Sequence, residues 1–360
     1  MPALFATALL AAALAAQPST QPATAPAGNA ELREMYEADQ AARSGPDLDW
    51  AAVSAADAKR RARLDEIREA GDIVTADDHF HAAMLLQHGD SPEDYNDAHE
   101  LAKRAFELDP DLRVAGWLSA AAKDRYLLAI GEPQWYGTQY SGSNGLTILR
   151  EVDETKVTDE QRKALGVPTL ADARGRLTQM NANRSLSADD NPELEEAFVA
   201  FITEMFAPAR KPGQAWDVPE AAQVHVETVN RLIEAEAVNT PADLAKAAAI
   251  LHYAAETADD YRRQLALLER ARAAEPDSVE IARDYARTYD RLRVKEGKGQ
   301  WYGTSITTPQ ASASGQWEFN LDPDSTVTDA EREAMGLMPA SFWREEVERR
   351  NAELDADAGK

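Results

Sequence analysis

The chain has 360 residues, of which 44% are hydrophobic, so it is long enough for two domains with buried cores. The 63 acidic residues outnumber the 38 Lys and Arg residues and give a net charge of −25, which disfavours binding to nucleic acid and to anionic lipid surfaces. Cysteine is absent from the sequence, which excludes disulfides, thiolate metal sites and cysteine nucleophiles.

The first 30 residues have the composition of an export signal followed by a linker. The Ala/Leu-rich run Leu4–Ala16 suits a signal-peptide core and is too short for a membrane span, which needs about 20 residues. The stretch at 17–30 is rich in Pro, Thr, Ala and Gln, which predicts a disordered linker. We therefore predict a signal peptide at 1–16, a linker at 17–30, and a periplasmic or secreted protein with no stable membrane span after signal removal. The alternative is a retained apolar N-terminus.

An internal repeat runs through the rest of the chain. Residues 93–138 match residues 259–304 at 16 of 46 positions without a gap, and the matches include the block Gln134–Thr138 against Gln300–Thr304. This similarity predicts a tandem duplication. One helical repeat domain would occupy residues 31–184, and a degenerate second copy would occupy residues 191–354.

Helical periodicity and capping signals predict the helices of each copy. In the first copy we expect a helix over Ala55–Ala70, and Thr75 and Ser91 have the sequence context of N-caps for the next two helices. The segment Tyr95–Ala121, with small residues and an acidic-Pro-Asp turn, resembles one tetratricopeptide helix pair, and Tyr261–Ala286 repeats the pattern. Because the 34-residue period does not continue, an extended solenoid is not expected.

The pattern changes after each helix pair. Gln134–Tyr140 is β-prone and residues 146–148 alternate in polarity, which predicts a small β-hairpin; residues 317–321 alternate in the second copy. Capping-box patterns at Thr158 and Thr328 predict short final helices. We therefore expect a mainly α fold made of two tandem homologous helical domains, each with a tetratricopeptide-like helix pair and a small β-hairpin.

Four short motifs together resemble the pattern of an uncharacterised bacterial domain family of unknown function. They are Asp39-Gln40 with Arg43, Gln87-His88-Gly89-Asp90, Asp124-Arg125, and Gln134-Trp135-Tyr136-Gly137-Thr138-Gln139. The resemblance spans most of the first copy. The second copy departs from it, with Ala254 in place of His88 and Ser305 in place of Gln139. The resemblance implies a domain of this family in tandem duplicate and implies no particular activity.

The Asp-Arg and Gln-x-Tyr-Gly-Thr motifs recur in both copies, and two interpretations of them are open. In the first, a helix carboxylate and guanidinium bond to backbone groups of the hairpin and act as a polar lock. In the second, the motifs form half of a ligand-binding site. The ligand-binding candidates are Arg125, Asp124, Gln134, Tyr136 and Gln139.

His88 and Asp90 are the catalytic candidates because the second copy does not repeat them. A neutral His oriented by a carboxylate can act as a general base, whereas the structural alternative is a helix-end His that bonds to terminal carbonyls. On a helix, His81 and His88 would lie about 10.5 Å apart along the axis, so we expect no metal site. The sequence also has no Gly-x-Ser-x-Gly or phosphate-loop motif, and we expect no cofactor.

The sequence is consistent with two functions. The first is an exported helical binding or scaffold protein whose partner is an unknown protein, peptide or small molecule, and not nucleic acid. The second is a hydrolase-type enzyme with a single active site in the first copy. In the enzyme, His88 would be the base and Asp90 its orienting carboxylate, with Arg125, Tyr136 and Gln139 holding the substrate.

Overall fold

The computed structural model describes residues 28–44, 50–143, 145–182, 187–211 and 219–358. The described chain is mainly helical, as predicted, with fourteen helices and one two-stranded antiparallel sheet. It divides into two compact units, unit 1 (Met1–Arg184 and Met205–Ala215) and unit 2 (Ser185–Glu204 and Trp216–Lys360). The predicted signal peptide and nearly all of the predicted linker lie outside the described residues. Within the described ranges, no helix has the length and apolar character required to span a bilayer.

Unit 1 contains the first seven helices and the sheet. In chain order these are α1 (Ala30–Ala42), α2 (Trp50–Ala70), α3 (Ala76–Leu86), α4 (Pro92–Leu108), α5 (Arg113–Ala129), β1 (Tyr140–Ser143), β2 (Leu146–Leu149), α6 (Asp159–Ala164) and α7 (Leu170–Ala182).

Side-chain caps fix several of these helix boundaries, as the sequence predicted. Thr75, Ser91 and Thr158 each form a capping box, in which the side chain accepts from the third helical amide and that residue's side chain bonds back to the cap amide. The helix predicted over Ala55–Ala70 is longer, because α2 begins at Trp50, and it ends before Gly71, whose φ is 75°. Local polar chemistry therefore sets where these helices begin.

Helices α4 and α5 pack against each other as an antiparallel pair. His99 Nδ1 of α4 donates to the carbonyl of Ser119 of α5 at 2.9 Å, while the ring of Phe106 lies against Gly116. Later residues of α4 thus contact earlier residues of α5. Small side chains at the crossing, such as Ala102, Ala105 and Ala115, allow this approach. The core around them also contains Tyr36, Phe80, Ala83, Met84 and Leu118.

The hairpin of unit 1 begins later than the sequence predicted. Strand β1 starts at Tyr140 and pairs with β2 in the register Tyr140–Leu149 to Ser143–Leu146. Residues 134–139 are not a strand, apart from a single bridge between Gln134 and Val152. The backbone amides of Trp135, Tyr136 and Thr138 bond to a carboxylate of α5 instead of to a neighbouring strand, as described below.

Unit 2 contains the remaining helices, the first of which crosses the boundary between the units at its last two residues. They are α8 (Pro192–Phe206), α9 (Glu220–Glu234), α10 (Pro241–Ala254), α11 (Ala258–Ala274), α12 (Val279–Lys295), α13 (Asp329–Ala334) and α14 (Ala340–Ala358).

The hairpin predicted for the second copy is reduced to isolated bridges. Thr307 pairs with Glu318 and Gln300 pairs with Leu321, and no strand forms among the described residues of this unit. The segment between Thr307 and Glu318 contains turns and a positive-φ Gly315, so it does not provide two facing extended runs. The alternating pattern at residues 317–321 was therefore misleading about the extent of pairing.

Candidate functional site

The loop that follows α5 is bound to that helix by Asp124. This fully buried carboxylate accepts from the backbone amides of Trp135 (2.7 Å), Tyr136 (2.9 Å) and Thr138 (3.0 Å), and from the Thr138 hydroxyl (2.8 Å). Burial raises the pKa of Asp124, and these four donors oppose that rise because they stabilise the charged form. Asp124 is thus occupied within the fold.

Unit 2 repeats this arrangement. Asp290 accepts from the amides of Trp301 (2.6 Å), Tyr302 (2.9 Å) and Thr304 (3.0 Å). A second pair of matched bonds involves a glutamine in each unit. The buried side chain of Gln134 accepts from the backbone amide of Gln139 and donates to its carbonyl. Gln300 forms the same two bonds with Ser305. Asp124 and Gln134 therefore hold a loop in place, which agrees with the polar-lock interpretation of the motif.

Tyr136 participates in the same loop through its backbone. Its amide donates to Asp124, and its carbonyl accepts from Nε of Arg162 at 3.1 Å. Burial raises the pKa of the Tyr136 phenol.

Arg125 bonds to groups other than those that Asp124 binds. Its NH1 donates to the carbonyl of Gln87 at 2.6 Å, and its Nε donates to Oε1 of Gln139 at 3.4 Å. Arg125 is partly buried, and both of these acceptors are neutral oxygens. Arg125 therefore brings to the end of α3 a positive charge that no carboxylate among the described residues pairs with.

The end of α3 places His88 beside α1. The His88 side chain is 10% exposed, and its Nε2 lies 3.6 Å from Oδ2 of Asp39, too far for a hydrogen bond. Among the described residues, this buried Nε2 has no hydrogen-bond partner. Burial, followed by the positive charges of Arg43 and Arg125, lowers the pKa of His88 well below its ordinary value, so the imidazole is neutral at pH 7.

Asp90 does not orient His88 as the enzyme hypothesis required. Its side chain is 58% exposed and pairs with Arg61 at 3.0 Å, and Arg61 also donates to the His88 carbonyl. In the described chain, the carboxylate within 4 Å of the imidazole belongs to Asp39. The sequence favoured Asp90 because it is close along the chain, whereas α1 brings Asp39 to the imidazole from a distant position.

Asp39 belongs to a buried network that we call the unit 1 polar cluster, defined by Asp39, Arg43, Asp57, Arg60 and His88. Arg43 binds Asp39 Oδ1 at 2.5 Å and Asp57 Oδ2 at 2.6 Å, and Arg60 binds Asp57 Oδ1 at 2.8 Å. The cluster side chains are between 1% and 13% exposed. Burial raises the pKa of Asp39 to about 6, against the opposing charge of Arg43.

Helices α8–α10 hold apolar or aromatic residues at four of the five positions that correspond to this cluster, and a histidine at the fifth. Asn29 and Asn191 donate their backbone amides to Asp78 and Asp243 at the start of α1 and α8, and these matched bonds align the first helices. With this alignment the five positions correspond to Phe201, Met205, Ala222, His225 and Tyr253. The residue opposite His88 is therefore Tyr253, one position before the Ala254 that the ungapped sequence match gave.

Contacts among α8–α10 support this alignment. The rings of Phe201 and Tyr253 lie 6.0 Å apart, at the positions where Asp39 and His88 meet in unit 1. Phe201, Met205 and Ala222 are all fully buried. These helices therefore have a ring contact at the positions where unit 1 has a contact between a carboxylate and an imidazole.

The structure thus brings together four sequence motifs that are far apart in the chain. Asp39 and Arg43, His88, Arg125 and Gln139 are connected through direct contacts and through the carbonyl of Gln87. Sequence reasoning missed Asp57 and Arg60, which complete the network from α2. Their spacing of three residues on one helix face was the available signal, but a pair of this kind usually lies at the surface.

Comparisons with known proteins give no family or relative. No protein-family model, curated protein or solved structure matches the chain. Within the described ranges, no group of three or more His, Cys, Asp or Glu side chains is arranged to hold a metal ion.

Proposed function

We propose that this protein is an exported helical binding or scaffold protein, and that unit 1 binds a ligand carrying an anionic group such as a carboxylate or phosphate. The proposal includes a tandem duplication of one domain of the family that its motifs resemble, with a tetratricopeptide-like helix pair in each copy. The matched hydrogen bonds around Asp124 and Asp290 support the duplication.

The observation that carries the proposal is the local charge balance at His88. The carboxylates of Asp39 and Asp57 are paired with Arg43 and Arg60, whereas Arg125 has hydrogen bonds only to neutral oxygens among the described residues. A partly buried guanidinium without a counter-charge, beside an unpartnered imidazole nitrogen, favours an anionic group. This local excess of positive charge occurs in a chain whose net charge is −25.

An anion titration tests this proposal with probes of known chemistry. Sodium acetate and sodium phosphate are added to the full chain at constant ionic strength, with sodium chloride as the reference, and Tm is measured. At ten times Kd, a bound anion stabilises a protein by about 1.4 kcal/mol, which is an increase of about 3–5 °C for a domain of this size.

The matched variants are Arg125→Gln and Arg291→Gln, which alter the same motif in the two units. We expect Arg125→Gln to abolish the anion-specific rise in Tm, and Arg291→Gln to retain it. Equal effects of chloride, acetate and phosphate on the unmodified protein would contradict the proposal, as would an undiminished response in Arg125→Gln.

A second candidate function rests on the geometry of His88 and Asp39. We propose, as the alternative, a hydrolase-type activity in which the neutral His88 is the general base and Asp39 stabilises the imidazolium that forms. Both p-nitrophenyl acetate and p-nitrophenyl phosphate serve as generic probes. Turnover should be lost in His88→Ala and retained in His79→Ala, which changes another histidine near the start of α3. Absence of turnover, or turnover unchanged by His88→Ala, would leave binding as the function.

A further inference from the structure

In unit 1, the segment that follows α8 is bonded to Glu151, whose carbonyl in turn accepts from the backbone amide of Gln134. The carbonyl of Ala207 accepts from the backbone amide of Glu151 at 2.7 Å, and the amide of Ala209 donates to Oε2 of Glu151 at 3.0 Å. The segment then passes Gly131, where a Cβ atom would lie 2.5 Å from Cα of Lys211. One residue, Glu151, thus supplies both a backbone donor and a side-chain acceptor to the segment.

Unit 2 has the corresponding loop, and Asn320 occupies the position of Glu151. The amide of Gln300 donates to the Asn320 carbonyl, as that of Gln134 donates to the Glu151 carbonyl. Among the described residues, neither the backbone amide nor Oδ1 of Asn320 takes part in a hydrogen bond. Asn320 therefore presents a donor and an acceptor of the same kinds that Glu151 uses in unit 1.

A groove lies beside Asn320 in unit 2. Its volume is about 720 Å³, and its lining includes Arg291, Val294, Ile306 and Leu321. Gly297, which corresponds to Gly131, has nothing within 4 Å of its Cβ position. Apolar walls, together with the Asn320 amide that no described residue binds, are features that recognise the backbone of a peptide.

We propose that this groove binds an Ala-Pro-containing peptide segment of a partner protein, through the same kinds of bonds that hold Ala207–Lys211 to Glu151 in unit 1. A carbonyl of the peptide accepts from the Asn320 amide, and the amide two residues later donates to Asn320 Oδ1. The small Ala-Pro-Ala side chains at residues 207–209 allow the backbone to approach the loop, and proline reduces the conformational entropy lost on binding.

The test uses a fluorescein-labelled peptide with the sequence of residues 205–211 and the full-length chain, with binding followed by fluorescence anisotropy. Ala311 lines the groove and Ala313 does not, although both are exposed. We expect saturable binding, which Ala311→Trp weakens at least tenfold and Ala313→Trp leaves unchanged. Asn320→Ala, a change at an exposed residue, should weaken binding about three- to tenfold and provides a second variant if Ala311→Trp does not fold.

Three results would overturn this proposal. The first is an absence of saturable binding up to 2 mM protein, a concentration chosen because single short peptides bind weakly. The second is binding that neither Ala311→Trp nor Asn320→Ala alters, since the peptide would then be displacing the bound segment of unit 1. The third is concentration-dependent self-association that Ala311→Trp abolishes and the peptide does not inhibit, which would assign the groove to a second copy of the chain.

Discussion

Replacing Asp124 with Ala tests whether the repeated Asp-Arg motif is part of the architecture. The substitution removes the acceptor of three backbone amides and one hydroxyl, whose bonds are 2.7 to 3.0 Å long. A hydrogen bond to a charged group contributes about 1.5–3 kcal/mol, but the variant also avoids the cost of burying the carboxylate. Because the buried amides are left unpaired, we expect a net loss of about 3–5 kcal/mol in the free energy of unfolding.

Urea-induced unfolding, followed by tryptophan fluorescence, measures this loss. Asp290→Ala should cause a similar loss in unit 2, because Asp290 accepts the same three amides. Asp90→Ala is the control, since this exposed carboxylate should change the unfolding free energy by less than about 1 kcal/mol. A loss below about 1 kcal/mol for Asp124→Ala would show that this carboxylate is not needed to hold the loop.

Three further predictions concern pH, backbone and export. The pKa of Asp39 rises from 3.8 to about 6 on folding, so the folded state binds the proton more tightly than the unfolded state does. The free energy of unfolding therefore falls as pH rises from about 4 to 6. Asp39→Asn should remove about 3 kcal/mol of that fall, measured as the difference between the pH–stability curves of the variant and the unmodified protein. Gly131→Ala should cost at least about 1 kcal/mol more than Gly297→Ala in urea unfolding, because both residues have positive φ but only Gly131 touches a neighbouring backbone; equal losses would contradict the packing argument. N-terminal sequencing of the protein after expression with its leader in a bacterial host should find a periplasmic or secreted form beginning near Gln17, and an intact Met1 in the cytoplasm would exclude export.

Helix boundaries were predictable because their determinants are local. Thr75, Ser91 and Thr158 have their capping partners three residues away, within the same short stretch of sequence. The predicted strand at residues 134–140 failed for the opposite reason. Its amides are satisfied by Asp124, which lies more than ten positions earlier on α5, and no local pattern reveals that the carboxylate is turned towards them.

The candidate site was only partly predictable. His88 and Arg125 were identified from motifs, but the carboxylate assigned to His88 was its sequence neighbour Asp90 and not Asp39. Asp57 and Arg60 were not identified, because their role depends on the packing of α2 against α1. The internal repeat would have provided a stronger signal had the first helices been aligned, since Phe and Met in one copy stand where Asp and Arg stand in the other.

We expect the unit 1 polar cluster to serve ligand binding and not to be needed for folding. A comparison of the unmodified chain with a variant in which the cluster is exchanged for the matched residues of α8–α10 tests this expectation. The five changes are Asp39→Phe, Arg43→Met, Asp57→Ala, Arg60→His and His88→Tyr. Exchanging buried ion pairs for packed side chains is often neutral or stabilises a protein by about 1–4 kcal/mol. We predict an unfolding free energy that is unchanged or higher, together with loss of the acetate- and phosphate-specific rise in Tm. A variant that is more than about 3 kcal/mol less stable would show that the cluster is needed for folding, and one that still responds to these anions would show that they bind elsewhere.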